Sequence, residues 1–201
     1  MSAETDSNKI EHKEHFHGSD LEKIEKIYGI KKEDITSFSA NVNPLGISYK
    51  LKKELASHID AITSYPDREY TSLRKCIAKY AGTDYTSVLV GNGSTELISL
   101  VIQIKKPSKA LIVGPTYSEY EHEVALGGGR SHYFRLREKD DFKLDIEGLE
   151  NALTSDIDLL VICNPNNPTS SQIDRSSMRR ILDACKAVSY THLTLPTILL
   201  V

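Results

Sequence analysis

The spacing of apolar residues changes partway along the chain. In the first part they recur at helical intervals between polar neighbours. "DLEKIEKIY" predicts a short helix, capped by Ser19 and closed by Gly29. "ITSFSANVNPLG" predicts an extended segment that breaks at Pro44 and Gly46. "SYKLKKELASHIDAI" and "YTSLRKCIAKYAG" predict two amphipathic helices, separated by the turn "YPD" at residues 65–67. Beyond these the pattern alternates. "SVLV", "KALIV", "SHYFRL" and "IDLLVIC" are short apolar runs that read as strands. Helical stretches separate them: "GSTELISLVIQI", "YSEYEHEVAL" and "DIEGLENAL", with "DRSSMRRILDACKA" after the last. Strands alternating with helices predict an α/β domain with a mostly parallel sheet, its strands buried on both faces.

The final run departs from this rhythm. "VSYTHLTLPTILLV", residues 188–201, holds no charged residue, although charged residues make up 26% of the chain. The alternation calls for another buried strand here, yet Pro196 interrupts the run. A native apolar terminus is one reading. The preferred expectation is a truncated chain with foreign sequence appended, because the run resembles translated adapter read-through.

Composition narrows the function classes. A chain of 201 residues forms one large domain or two small ones. The net charge of −3 and the lack of a basic stripe argue against nucleic acid as a partner. Cys76, Cys163 and Cys185 are odd in number and far apart, which suits a reducing cytoplasm better than a disulfide framework. No run has the length and apolarity of a membrane span, and the N-terminus has no apolar signal core. Residues 1–16 read as a disordered, solvated tail. His12, His15 and His17 crowd around its end, and a polar tail is favoured there over a metal site.

Three loops follow predicted strands, where parallel sheets place their ligands. "GNGSTE", residues 91–96, opens a helix. It reads equally as a phosphate cradle or as a structural tight turn. "GPTYSEY" carries Tyr117, either a stacking platform for a planar ligand or a rim aromatic. In "NPNNPT" the prolines fix the backbone, so that amides of Asn164, Asn166 and Asn167 can aim at a ligand; the plainer reading is a turn.

Taken in this order, these loops resemble the pyridoxal-phosphate enzymes of fold type I. Over roughly residues 17–187, "HGSD", "FSANVNPLG", "YPD", "GNGSTE", "PTYSEYE" and "NPNNPT" are similar to the histidinol-phosphate aminotransferase and threonine-phosphate decarboxylase group. The pairing of "HGSD" with "FSANVNPLG" is closest to the decarboxylase branch. The resemblance implies a partial fold type I large domain over residues 65–187, with an N-terminal arm and small-domain segment over residues 17–64. It implies pyridoxal 5'-phosphate as cofactor, with Gly93, Ser94 and Thr95 on its phosphate, Tyr117 on its ring and Asn167 on its phenolic oxygen. Tyr65 is implied at the phosphate of a neighbouring subunit, and His17, Gly18 and Asn41 at the substrate. It further implies a cytoplasmic homodimer acting on a small, phosphorylated amino acid or amine. Aminotransferase activity is the favoured expectation, decarboxylation the alternative, and a non-catalytic binding or scaffold role the rival of another class.

Ser170 departs from the resemblance, since glycine is usual there. A larger departure concerns the chemistry. The resemblance calls for a lysine that carries the cofactor, an aspartate on the pyridine nitrogen and an arginine for the substrate carboxylate, all after "NPNNPT". "SYTHLTLPT" stands where the aspartate motif belongs, and Lys109 reads as an ordinary surface lysine. No catalytic residue is therefore expected in this chain, which should be inactive by itself.

Overall fold

The structure, a computed structural model, describes residues 20–37, 43–187 and 191–196. It divides into two compact units, one running to Ser64 and the other starting at Tyr65.

In the first unit, helix α1 (Leu21–Tyr28) is capped by Asp20, whose carboxylate accepts from the Lys23 amide at 3.1 Å. The cap is thus Asp20 and not Ser19, which lies outside the described residues. A carboxylate at this position also complements the positive end of the helix. Gly29 ends α1 at φ 69°, a backbone that other residues adopt at a cost. The break at Pro44 and Gly46 is an Asx turn: the Leu45 amide donates to Asn43 Oδ1, and Asn43 Nδ2 donates to the Gly46 carbonyl, both at 3.0 Å. Helix α2 (Tyr49–Ser57) starts at Ser48, whose hydroxyl accepts from the Leu51 amide. No described residue of this unit is buried.

The second unit carries the core. Helix α3 (Thr71–Ala81) is followed by α4 (Gly93–Lys105), β1 (Lys109–Gly114), α5 (Glu119–Leu126) and β2 (Arg130–Arg135). Then come α6 (Ile146–Ala152), β3 (Leu159–Asn164), α7 (Arg175–Ala187) and β4 (Thr191–Pro196). The sheet has the order β2-β1-β3-β4, and every neighbouring pair is parallel. Alternate residues of a strand face opposite ways, so each face has its own core. Leu111, Val113, Leu160 and Ile162 pack with Leu149 of α6 and Ile181 and Cys185 of α7. Ala110, Ile112, Leu159, Val161 and Cys163 pack with Ile98 and Ile102 of α4 and Tyr120 and Val124 of α5. The sheet therefore sits between two helical layers, as the alternation predicted.

One expected strand is absent. Residues 88–90 ("VLV") are not in the sheet, although their composition is strand-like. A strand exists only when a neighbour supplies the ladder, and no described residue pairs with these. Arg74 holds the segment instead, donating from Nε to the Val88 carbonyl at 2.9 Å and from Nη2 to the Tyr85 carbonyl at 3.1 Å. The uncharged C-terminal run contributes β4, which pairs with β3 from Leu159↔Thr191 to Asn164↔Pro196 and stops at the proline.

Helix α7 is capped by Asp174, which accepts from the Ser176 and Ser177 amides at 2.8 and 2.9 Å. The hydroxyls of the same two serines also donate to it and hold its carboxyl well below the usual range. Lys109 begins β1 and pairs with Asp156, at the end of the strand remote from the loop that follows Gly114. Among the described residues no helix is long and apolar enough to cross a membrane, and no His, Cys, Asp and Glu cluster could hold a metal ion.

Candidate functional site

Strands β1 and β3 are parallel neighbours, so the loops after Gly114 and Asn164 leave the same edge of the sheet. The head of α4 joins them there through a 3.3 Å hydrogen bond between the hydroxyls of Thr95 and Tyr117.

Helix α4 begins at Gly93, with φ 79°. The first amides of a helix have no partner within it and carry the positive end of its dipole. No side chain caps them from Asn92. The Glu96 carboxylate folds back onto the Asn92 amide, within the same turn. Gly91 makes room for this, because a Cβ there would lie 2.8 Å from Glu96 Oε2 and 2.9 Å from Leu97 Cδ2. Ser94 is exposed and Thr95 half-buried. The turn can take an anion on backbone amides, with two hydroxyls close by.

After β1 the chain passes Gly114, where a Cβ would press to 2.8 Å from the Tyr133 ring. Burial pushes the Tyr133 phenol up to about 12, and its 3.0 Å hydrogen bond to Glu121 adds to the rise. Tyr133 therefore stays neutral and donates. Tyr117 is half-buried against the α4 and α5 face of the core and meets Tyr120 edge-on, with ring centroids 5.8 Å apart. Beside it, the Thr116 hydroxyl is buried without a partner among the described residues. An orphaned buried hydroxyl at a strand end is the kind of group a ligand satisfies.

The turn after β3 divides its asparagines between two tasks. Asn164 bonds in both directions with Ile173: its Nδ2 donates to the Ile173 carbonyl at 3.2 Å, and its Oδ1 accepts from the Ile173 amide at 3.0 Å. Asn166, only 7% exposed, donates from Nδ2 to the Pro115 carbonyl at 2.9 Å and to Thr169 Oγ1 at 2.8 Å. Asn167 is half-buried, and its amide has no hydrogen-bond partner among the described residues. The sequence suggested three amides aimed at a ligand. The structure takes two of them into the fold and leaves one. Ser170 adopts φ 58°, which accounts for the strangeness of a serine at this position.

Gly93, Ser94, Thr95, Tyr117 and Asn167 thus stand on three loops at one edge of the sheet. Tyr65 is 84% exposed and no hydrogen bond or ring contact among the described residues brings it to these loops. His17, Gly18 and Asn41 lie outside the described residues. Sequence reasoning missed Thr116, Glu96 and the holding roles of Asn164 and Asn166. The S/T-x-x-E/Q signature is the nearest local signal for a glutamate folding back on a helix start, but here the spacing is one residue longer. The donor set suits a phosphorylated aromatic ligand: an uncapped helix start for the phosphate, a half-buried phenol for a ring, and an amide and a buried hydroxyl left over for polar atoms on that ring.

The model of the family described as aminotransferase class I and II matches residues 33–193. The threonine-phosphate decarboxylase of Salmonella typhimurium is 37% identical over 173 residues, which cover 86% of this chain and 47% of that protein. The histidinol-phosphate aminotransferase of Methanocaldococcus jannaschii is 30% identical over 174 residues, covering 85% of this chain and 47% of that protein. Among solved structures, the histidinol-phosphate aminotransferase from Clostridium acetobutylicum superposes with a TM-score of 0.69 at 30% identity, covering 79% of this chain and 46% of that one. The chain spans about half the length of the curated relatives it matches.

Proposed function

Because this chain belongs to the class I and II aminotransferase family, we propose that it forms the pyridoxal 5'-phosphate cradle of an aminotransferase acting on a small, phosphorylated amino acid or amine. The observation that carries this reading is the meeting of three loops at one sheet edge, with the Thr95–Tyr117 and Asn166–Pro115 hydrogen bonds joining them.

Each residue has a stated task. Backbone amides at Gly93, Ser94 and Thr95, with the positive end of α4, bind the cofactor phosphate. Tyr117 covers the ring face and is held from behind by Tyr120. The Asn167 amide donates to the ring's phenolic oxygen and so fixes the ring's rotation. Tyr65 reaches the phosphate site of a neighbouring subunit in a cytoplasmic homodimer, which suits its exposure. His17, Gly18 and Asn41 contact substrate. When bound, the cofactor supplies an electron sink for the pair left as a bond to the substrate α-carbon breaks. No residue of this chain is assigned the covalent attachment of the cofactor, and the chain alone is expected to bind without turnover.

A second reading, a threonine-phosphate decarboxylase, has its own observation. The Salmonella typhimurium decarboxylase is 37% identical, against 30% for the Methanocaldococcus jannaschii aminotransferase. The family match and the 0.69 TM-score to the Clostridium acetobutylicum enzyme support transamination.

The test has two parts. Calorimetric titration of the 201-residue chain with pyridoxal 5'-phosphate and with pyridoxal should show binding that depends on the phosphate; absence of binding sinks the cradle. The full-length gene product, given histidinol phosphate and 2-oxoglutarate, should consume the keto acid. Carbon dioxide release from threonine phosphate without keto-acid consumption would select the decarboxylase.

A further inference from the structure

We propose that Asn166 is a positioning residue that fixes the distance between the ring-covering loop of Tyr117 and the ring-oxygen loop of Asn167. The inference rests on the proposed cofactor site, since it assigns the role of setting that site's geometry to a residue outside it.

The backbone ladder between β1 and β3 runs through Ala110↔Leu159, Leu111↔Leu160 and Ile112↔Val161. It stops there, before either strand reaches its loop. Beyond that point the Asn166 side chain rejoins the two chains. One N–H of its amide goes to the Pro115 carbonyl, two residues before Tyr117. The other goes to Thr169 Oγ1, inside its own turn. The turn is itself closed, by the Asn166 amide on the Ser171 carbonyl at 2.9 Å and the Ser170 amide on the Asn166 carbonyl at 2.7 Å. Thr169 Oγ1 is further held by Ser171 Oγ at 2.8 Å. The amide therefore links the backbone leading to Tyr117 with a closed turn that includes the neighbouring Asn167. The Asn166 side chain is itself buried, at 7% exposure, so its two N–H groups are satisfied by the fold and not by bulk solvent.

A ligand ring that touches both Tyr117 and Asn167 senses their separation, and displacements below an ångström are costly at such sites. A phosphate bound only at the head of α4 does not sense it. The two ligands thus separate positioning from general integrity.

The experiment compares the wild-type chain with Asn166→Ala and Asn166→Asp. The aspartate keeps the side-chain volume and cannot donate from its ionised carboxylate, so it serves where the alanine variant folds poorly. Three quantities are measured: affinity for pyridoxal 5'-phosphate, affinity for inorganic phosphate, and amide exchange over residues 116–120. The expected result is a loss of about tenfold in pyridoxal 5'-phosphate affinity, phosphate affinity within about twofold of wild type, and faster exchange in residues 116–120. Equal losses for both ligands would show a general structural defect and overturn the proposal. Unchanged exchange with unchanged cofactor affinity would also overturn it. If the wild-type chain binds no pyridoxal 5'-phosphate, the cofactor reading itself fails. The tie between the loops is then judged on exchange alone, and an unaltered rate refutes it.

Discussion

At the head of α4 the backbone faces outward with no capping side chain, whereas in the turn after β3 the side chains of Asn164 and Asn166 are taken up by the fold. The first region offers charge through amides that any sequence supplies, provided glycine permits the turn. The second offers direction, through amides whose partners lie far along the chain. A mutation at the head of α4 should therefore alter affinity gently, while mutations in the turn after β3 should split sharply into those that unfold the turn and those that affect only a ligand.

Asn164→Ala is the strongest test of that split. It removes two hydrogen bonds to Ile173 and leaves backbone groups in a half-buried turn without partners. The expected loss is about 2–3 kcal/mol of stability, read by urea unfolding; a loss under about 0.5 kcal/mol, the size of an ordinary surface change, would show that the turn holds itself by other means. Ser170→Gly should act in the opposite direction. Relieving φ 58° at a non-glycine residue should stabilise the chain by about 0.5–1 kcal/mol, seen as a raised urea midpoint at constant slope. Glu96→Gln is the mildest. Taking the negative charge from the Asn92 amide should strengthen inorganic phosphate binding about two- to threefold at low salt, with the gain fading at high salt. Weaker binding would show that Glu96 shapes the turn more than it repels the anion.

The fold was legible in the sequence where a local pattern decides it. Ala110 and Ile112 face one helical layer, Leu111 and Val113 the other, so a wholly apolar run reads correctly as a strand buried on both faces. The strand expected at residues 88–90 failed because strand residues without a neighbour form no ladder, and pairing is not written in the run itself. The cap of α1 shifted from Ser19 to Asp20 because both residue types cap well and composition alone cannot choose. At the candidate site the three loops were legible from their glycine, proline and asparagine punctuation. The division of work among the asparagines was not. Asn166 meets Pro115 at a separation of 51 residues, beyond any window of local pattern. Asn164 meets Ile173 across only nine, but through a side chain, and apolar spacing carries no record of side-chain hydrogen bonds.

Asn164 is held by Ile173, whereas Asn167 is the amide proposed for the cofactor. Pyridoxal 5'-phosphate titration of Asn167→Ala, set beside its urea unfolding curve, tests this most directly. The expected result is stability within about 0.5 kcal/mol of wild type together with a loss of cofactor affinity of about tenfold, the size of one hydrogen bond at such a site. Unaltered cofactor binding in a variant destabilised as much as Asn164→Ala would contradict it.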